Sequence, residues 1–77
     1  MFALHQTVAL TQDIPESGLQ SGDLGSVVAI LDPEYCEVEF VAASGRTEAL
    51  LMLSAADLRA IGDQDLIAVR SLATSRR

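Results

Sequence analysis

The chain has 77 residues, a formal net charge of −6 and 49% hydrophobic residues. This length predicts one domain, which buries only about 60% of its unfolded surface and needs a further source of stability. A single cysteine and a single histidine exclude an internal disulfide and a Cys/His metal cluster. Self-association is the remaining source of further stability.

The charge balance argues against nucleic acid and anionic membranes as partners. The chain has eleven acidic residues, five arginines and no lysine, and phosphate groups attract the opposite balance. No apolar run reaches the roughly 18 residues of a membrane span, and the first residues lack the pattern of a signal peptide. These observations predict a cytoplasmic protein with a protein partner and no membrane contact.

The first elements predicted are a strand and a long loop. Leu4–Leu10 alternates as a strand, with His5 on its more exposed phase. Thr11–Asp23 is rich in turn-forming residues, and Ile14 and Leu19 are its apolar anchors onto the domain. The three acidic residues of this loop form either a solvated face or a partner-binding rim; they are Asp13, Glu16 and Asp23.

A glycine pair then leads into a central strand. Gly22 and Gly25 allow a positive φ or the close approach of another group, and Ser26–Leu31 is apolar on both phases. A strand of this kind is central in its sheet or covered on its outer face. The glycine spacing is not that of a phosphate-binding loop.

A hairpin is predicted next. Asp32–Glu34 forms a turn, Tyr35–Val41 and Arg46–Leu53 form strands, and Ala42–Gly45 connects them. A four-residue connection predicts the inner pairs Phe40–Thr47, Val38–Ala49 and Cys36–Leu51, and the outer pairs Val41–Arg46, Glu39–Glu48 and Tyr35–Met52. Cys36 is predicted to be a small buried hydrophobic residue.

The outer face of this hairpin carries a candidate interface. Leu50 and Met52 follow Glu48 on the phase where an isolated domain shows polar groups, and Tyr35 lies opposite. Such a patch indicates a protein interface. Alternatively, the C-terminal segment of the same chain covers it, and both hold if that segment is exchanged between subunits.

The final elements predicted are a capped turn, a short strand and a C-terminal segment. Ser54 and Asp57 fit an N-cap pattern for one helical or 3₁₀ turn near residues 54–58, and Leu58–Ile61 is a closing strand. Residues 62–77 form an extra segment outside the domain at residues 1–61. Within it, Asp65–Leu72 fits a helix or a strand; its β-branched residues favour a strand, with Leu66, Ile67 and Val69 as further interface candidates. Residues 73–77 are expected to fray.

As a set, these residues resemble a family of small bacterial domains of unknown function over residues 4–61. The resemblance is carried by Asp13-Ile14-Pro15, Gly18-Leu19, Gly22-Asp23-Leu24-Gly25, Val27-Val28, Glu37-Val38-Glu39-Phe40-Val41, Gly45-Arg46-Thr47 and Ala49-Leu50-Leu51. One departure is Cys36, which separates Tyr35 from Glu37 where the family pattern has the two adjacent. The resemblance implies an all-β, SH3-like barrel of five strands, and an accessory role of the antitoxin, immunity or adaptor kind, often encoded in mobile elements.

The function predicted is a non-enzymatic interaction or assembly module that forms homo-oligomers and docks a protein partner. No arrangement of nucleophile, base and orienting group is visible, and no catalytic, metal or cofactor residue is predicted. One alternative is a nucleic-acid-binding barrel of the KOW type, which would require an arginine surface from Arg46, Arg59 and Arg70. Another is a small-molecule sensor with its pocket at a subunit interface.

Overall fold

Five antiparallel strands form one sheet in a computed structural model that describes residues 2–72. The sheet order is β4-β3-β2-β1-β5, which confirms the mainly β fold class with five strands. The SH3-like barrel stays a prediction. The strands are β1 (Thr7–Leu10), β2 (Leu24–Ile30), β3 (Tyr35–Val41), β4 (Thr47–Ser54) and β5 (Leu58–Ala60), and 3₁₀ turns lie at Pro15–Ser17 and Ala55–Asp57.

Strand β1 is shorter than the alternation predicts. His5 is exposed, as expected, but it adopts a left-handed conformation with φ of 70°, which a continuous strand does not allow. The Gln6 N–H donates to the Ala3 carbonyl at 3.1 Å and closes a turn there. Ala9, expected on the more exposed phase, is buried in a strand that pairs with both β2 and β5.

A β-bulge explains why β2 is apolar on both phases. Val27 pairs with Val38, but the next pair joins Ala29 to Glu37, so Val28 is an extra residue. A bulge of this kind reverses the alternation of the strand beyond it. Ile30 therefore lies opposite the buried Cys36, and the predicted central position of β2 is confirmed by its pairing with β1 and β3.

The predicted register of the β3–β4 hairpin is wrong by two residues on its inner face. The observed inner pairs are Phe40–Ala49, Val38–Leu51 and Cys36–Leu53. The connection is longer than four residues, and an irregularity where Phe40 and Val41 meet β4 leaves Glu48 without a partner in the pairing. A two-residue shift keeps the side chains of β3 and of residues 49–53 on their faces, so the expected buried side of β3 is still correct. Thr47, expected on the inner face, instead lies opposite the outer residue Val41, because the irregularity at Glu48 reverses the alternation of β4 there.

The outer pairs change with the register. Glu39 lies opposite Leu50 rather than Glu48, and Tyr35 lies opposite Ser54 rather than Met52, while Val41 pairs with Thr47 instead of Arg46. The like-charge pair is therefore not formed. Glu39 accepts a hydrogen bond from the Thr47 hydroxyl at 2.5 Å, and Glu48 binds Arg46 at 2.6 Å.

The core lies on the inner face of the sheet and under the long loop. Its buried members come from β1, β2, β3, β5 and the loop; they are Val8, Leu10, Leu19, Val27, Cys36, Val38, Phe40 and Leu58. Ile14 packs against this cluster and exchanges backbone hydrogen bonds with Leu19 at 2.9 and 3.1 Å. Both predicted loop anchors and the burial of Cys36 are thus confirmed.

The end of the chain departs from its prediction. The Ser54 side chain accepts a hydrogen bond from the Ala56 N–H at 3.1 Å, which confirms the capped turn. The strand predicted over Asp65–Leu72 is wrong, because residues 64–71 form neither strand nor helix. Their β-branched side chains, Ile67 and Val69, have no partner strand and are exposed. Residues 73–77, predicted to fray, lie outside the described residues.

Two glycines at the start of β2 have different roles. Gly22 has φ of 93°, which side chains disfavour. Gly25 is buried with no positive φ, but a Cβ built on it would lie 2.6 Å from Val38 Cγ1 and 2.9 Å from Phe40 Cε1. Glycine is therefore required at position 25 because two core side chains of β3 pack directly on its backbone.

Gly25→Ala is expected to lower the free energy of unfolding by about 1–3 kcal/mol, since the added methyl group overpacks the core. The matched control is Gly62→Ala, where the Cβ would meet its nearest atom at an ordinary 3.6 Å. Thermal denaturation of the two variants checks this, with a decrease of several degrees for the first alone. Equal midpoints would show that β3 shifts freely away from Gly25.

Candidate functional site

The outer face of β3 and β4 presents apolar side chains beside a row of carboxylates. Leu50 and Met52 are 54% and 64% exposed and lie opposite Glu39 and Glu37 in the pairing. Tyr35 is 42% exposed at the start of β3. We call Tyr35, Leu50 and Met52 the outer-face patch. It offers apolar contact area with negative charge directly beside it.

Strand β4 also forms an edge of the sheet. Within residues 2–72 it pairs with β3 alone, so its other side carries unpaired backbone N–H and C=O groups. Edge strands are usually protected by lysine, proline, bulges or short length. Strand β4 is eight residues long and has neither lysine nor proline; its one charged side chain, Glu48, is also the extra residue at its irregularity. From Ala49 to Ser54 the edge has no charged residue, proline or irregularity. This edge is therefore open to a partner.

Residues 62–72, which we call the strap, leave the domain through a fixed turn. Arg59 Nη1 and Nη2 each donate to an Asp65 carboxylate oxygen at 3.0 Å. The Gly62 N–H donates to the same carboxylate at 2.6 Å. The hydrogen bonds from Arg59, and then that from Gly62, lower the pKa of Asp65 to about 2. The direction of the strap is thus set directly after β5.

Further along, Arg70 clamps the strap to the long loop. Its Nε donates to Asp23 Oδ1 at 2.9 Å, and its Nη2 donates to Asp23 Oδ2 at 2.6 Å and to the Gly18 carbonyl at 3.0 Å. The Arg70 and Asp23 side chains are 25% and 18% exposed. The hydrogen bonds from Arg70 lower the pKa of Asp23, and the loop holds this carboxylate with the Gln20 N–H at 2.8 Å.

The clamp holds the strap so that its apolar side chains face solvent. Leu66 and Val69 are 90% and 97% exposed, and Ile67 is 61% exposed. The outer-face patch is uncovered in the described part of the chain. The six predicted interface residues are therefore all exposed, but they form two groups: the patch on β3 and β4, and the strap.

A groove runs between the strap and the hairpin end of the sheet, with a volume of about 490 Å³. Leu24, Phe40 and Val41 line one side, and Ile67 and Val69 line the other. This volume is within the range of small-molecule sites. The main charged groups at the groove, Asp23 and Arg70, already bind each other.

The clamp shows what sequence reasoning missed. The sequence groups Asp23 with Asp13 and Glu16 as a solvated face or a partner-binding rim, but Asp23 instead anchors a residue 47 positions away. Asp13 also serves the loop, because its carboxylate accepts from the Ser21 N–H at 2.8 Å. Only one sequence signal could have suggested the pair: Arg70 is the single charged residue between Leu66 and Leu72.

The groups with reactive chemistry have ordinary structural positions. Burial raises the pKa of the Cys36 thiol, which disfavours the thiolate. Within residues 2–72, no group of three or more His, Cys, Asp or Glu side chains is arranged to hold a metal ion. Nor does this part of the chain contain a helix long and apolar enough to cross a membrane.

A family model described as a domain of unknown function, DUF4926, matches residues 4–60. The chain belongs to this family. The matched region of this DUF4926 domain contains all five strands and ends at the last residue of β5, so Arg70 binds the matched domain from outside it. No curated protein and no solved structure matches the chain.

Arg70→Ala is expected to release the strap while the sheet stays folded, because the clamp contacts only the loop. A double-mutant cycle with Asp23→Ala should give a coupling of about 1 kcal/mol for this partly exposed pair. Urea denaturation measures the coupling, and proteolysis should cut residues 66–70 faster in either single variant. Additive effects of the two substitutions, with unchanged cleavage, would contradict the clamp.

Acid should open the clamp. The pKa of Asp23 in the folded protein lies below its ordinary value of 3.8. Its contribution to the free energy of unfolding is therefore fully present above that pH and is lost as the pH falls through the folded-state pKa. We expect the amide resonances of residues 66–69 to shift as the pH falls below 3.8, and protonation of Asp65, whose pKa is about 2, loosens the start of the strap as well. In Asp23→Asn the strap should already be released at pH 7; wild-type spectra at pH 7 would contradict this.

Proposed function

We propose that this DUF4926 domain is a non-enzymatic protein-interaction module whose binding surface is the outer-face patch. The observation that carries the proposal is the exposure of Leu50 and Met52 on an open edge strand. Clustered apolar side chains on a surface mark interaction sites, and a free edge offers backbone hydrogen bonds to an added strand. The cytoplasmic location is part of this proposal.

The partner has an apolar segment and positive charge. Glu37 and Glu39 lie directly opposite Met52 and Leu50. A partner side chain that packs on Met52 or Leu50 therefore lies about one cross-strand distance from a carboxylate. An Arg or Lys beside an apolar residue satisfies both groups, whereas an acidic partner is repelled. An antitoxin, immunity or adaptor role fits a module that works by masking or linking another protein.

The nucleic-acid alternative has less support. Each arginine within residues 2–72 is paired with a carboxylate: Arg46 with Glu48, Arg59 with Asp65, and Arg70 with Asp23. A phosphate backbone would have to compete with these pairs. The small-molecule alternative is favoured only by the size of the groove, whose charged groups are already paired: Asp23 with Arg70, and Glu48 with Arg46.

Substitution in the patch tests the proposal. Immobilised wild-type protein is expected to capture a partner, which is then identified and purified. Met52→Glu should weaken the binding of that partner at least tenfold, which corresponds to about 1.4 kcal/mol of binding free energy. The matched control is Leu4→Glu, at a leucine that is 52% exposed but outside β3 and β4. Equal affinities for all three proteins would exclude the patch as the binding surface.

A further inference from the structure

We infer that the partner of the outer-face patch is a second copy of this chain, which docks through the apolar side chains of its strap. This inference rests on the proposed interaction function and names its partner. The relevant residues are Leu66, Ile67 and Val69 on one copy and Leu50 and Met52 on the other.

The strap is prepared for docking because it is fixed on both sides of its apolar residues. The Arg59–Asp65 pair precedes Leu66, and the Arg70–Asp23 pair follows Val69. Between these two ion pairs, the side chains of Leu66 and Val69 are almost fully in solvent. Fixing a segment before binding reduces the entropy lost on association. The strap therefore presents its apolar side chains to a partner with little further loss of conformational entropy.

Charge complementarity favours the C-terminal part of a second copy as the segment that docks on the patch. All eleven acidic residues lie within residues 1–65, whereas residues 66–77 contain three arginines and no acidic residue. The patch is beside Glu37 and Glu39. Residues 66–77 of a second copy therefore bring apolar side chains and positive charge to a surface that offers apolar side chains and negative charge. The two acidic residues of the strap, Asp63 and Asp65, precede this segment, and Asp65 is already paired with Arg59.

Pairing of two β4 edges is the competing arrangement, and it lacks this complementarity. It brings two copies of the same acidic hairpin together, so the rows containing Glu37 and Glu39 repel each other. It also leaves Leu66 and Val69 exposed in both copies. A two-fold dimer built on strap–patch contacts instead forms the same contact twice and covers both groups.

A complementation experiment tests the inference with two variants that introduce no charge. The strap variant is Leu66→Ser with Val69→Ser, and the patch variant is Leu50→Ser with Met52→Ser. Light scattering and sedimentation should show a concentration-dependent dimer for wild type and at least tenfold weaker association for each variant alone. The equimolar mixture should form a heterodimer, because the patch variant keeps an intact strap and the strap variant keeps an intact patch.

Three results would overturn the inference. A strap variant that dimerises as well as wild type would indicate β4–β4 pairing. A mixture that associates no better than the separate variants would exclude the strap–patch contact. A wild type that stays monomeric at millimolar concentration would exclude self-association, while the patch would still be tested separately by the Met52→Glu capture experiment.

Controls separate loss of contact from loss of fold. Both variants change exposed side chains, so their thermal unfolding curves and circular dichroism spectra should match those of wild type. Leu4→Ser removes an exposed leucine outside both groups and should leave the dimer unchanged. Arg70→Ala should weaken the dimer as well, because it frees the strap without touching its apolar side chains.

Discussion

The close packing of Val38 and Phe40 on the backbone of Gly25 is the constraint on which the rest of the sheet depends. It joins β2 and β3 at a distance that leaves no room for a Cβ at position 25. The inner face of β3 is fixed by this contact, and its outer face is fixed with it because successive side chains alternate. The position of Glu37 and Glu39 beside Leu50 and Met52 is therefore a consequence of packing in the core.

The sequence predicted what depends on local pattern. The alternation of Tyr35–Val41, the capped turn after Ser54 and the burial of Cys36 all follow from residue types at short spacing, and each is confirmed. The alternation of Arg46–Leu53 likewise placed Leu50 and Met52 on the exposed face, and this outcome holds because a two-residue register error does not change the face.

The failures have a different origin. The irregularity near Val41 is set by how β3 and β4 meet, and neither strand shows it in its own alternation. The bulge at Val28 leaves β2 apolar on both phases, but a strand without a bulge that is covered on both faces has the same pattern. The β-branched residues of Asp65–Leu72 favour a strand, but this segment has no neighbouring strand to pair with, and strand propensity depends on such a neighbour. The Arg70–Asp23 clamp joins residues 47 positions apart, which no local spacing predicts.

The clamp also assigns stability and binding to different residues, whereas in small domains the same residues usually serve both. The region matched by the family ends at Ala60, and the strap is attached to it through the Arg59–Asp65 pair and through the contacts of Arg70 with Asp23 and the Gly18 carbonyl. The residues that present apolar surface at the strap are not members of the core. Substitutions at positions 66–69 can therefore change the partner of the chain without an effect on the packing of the sheet. In an 8.2 kDa protein, this lets binding specificity evolve independently of stability.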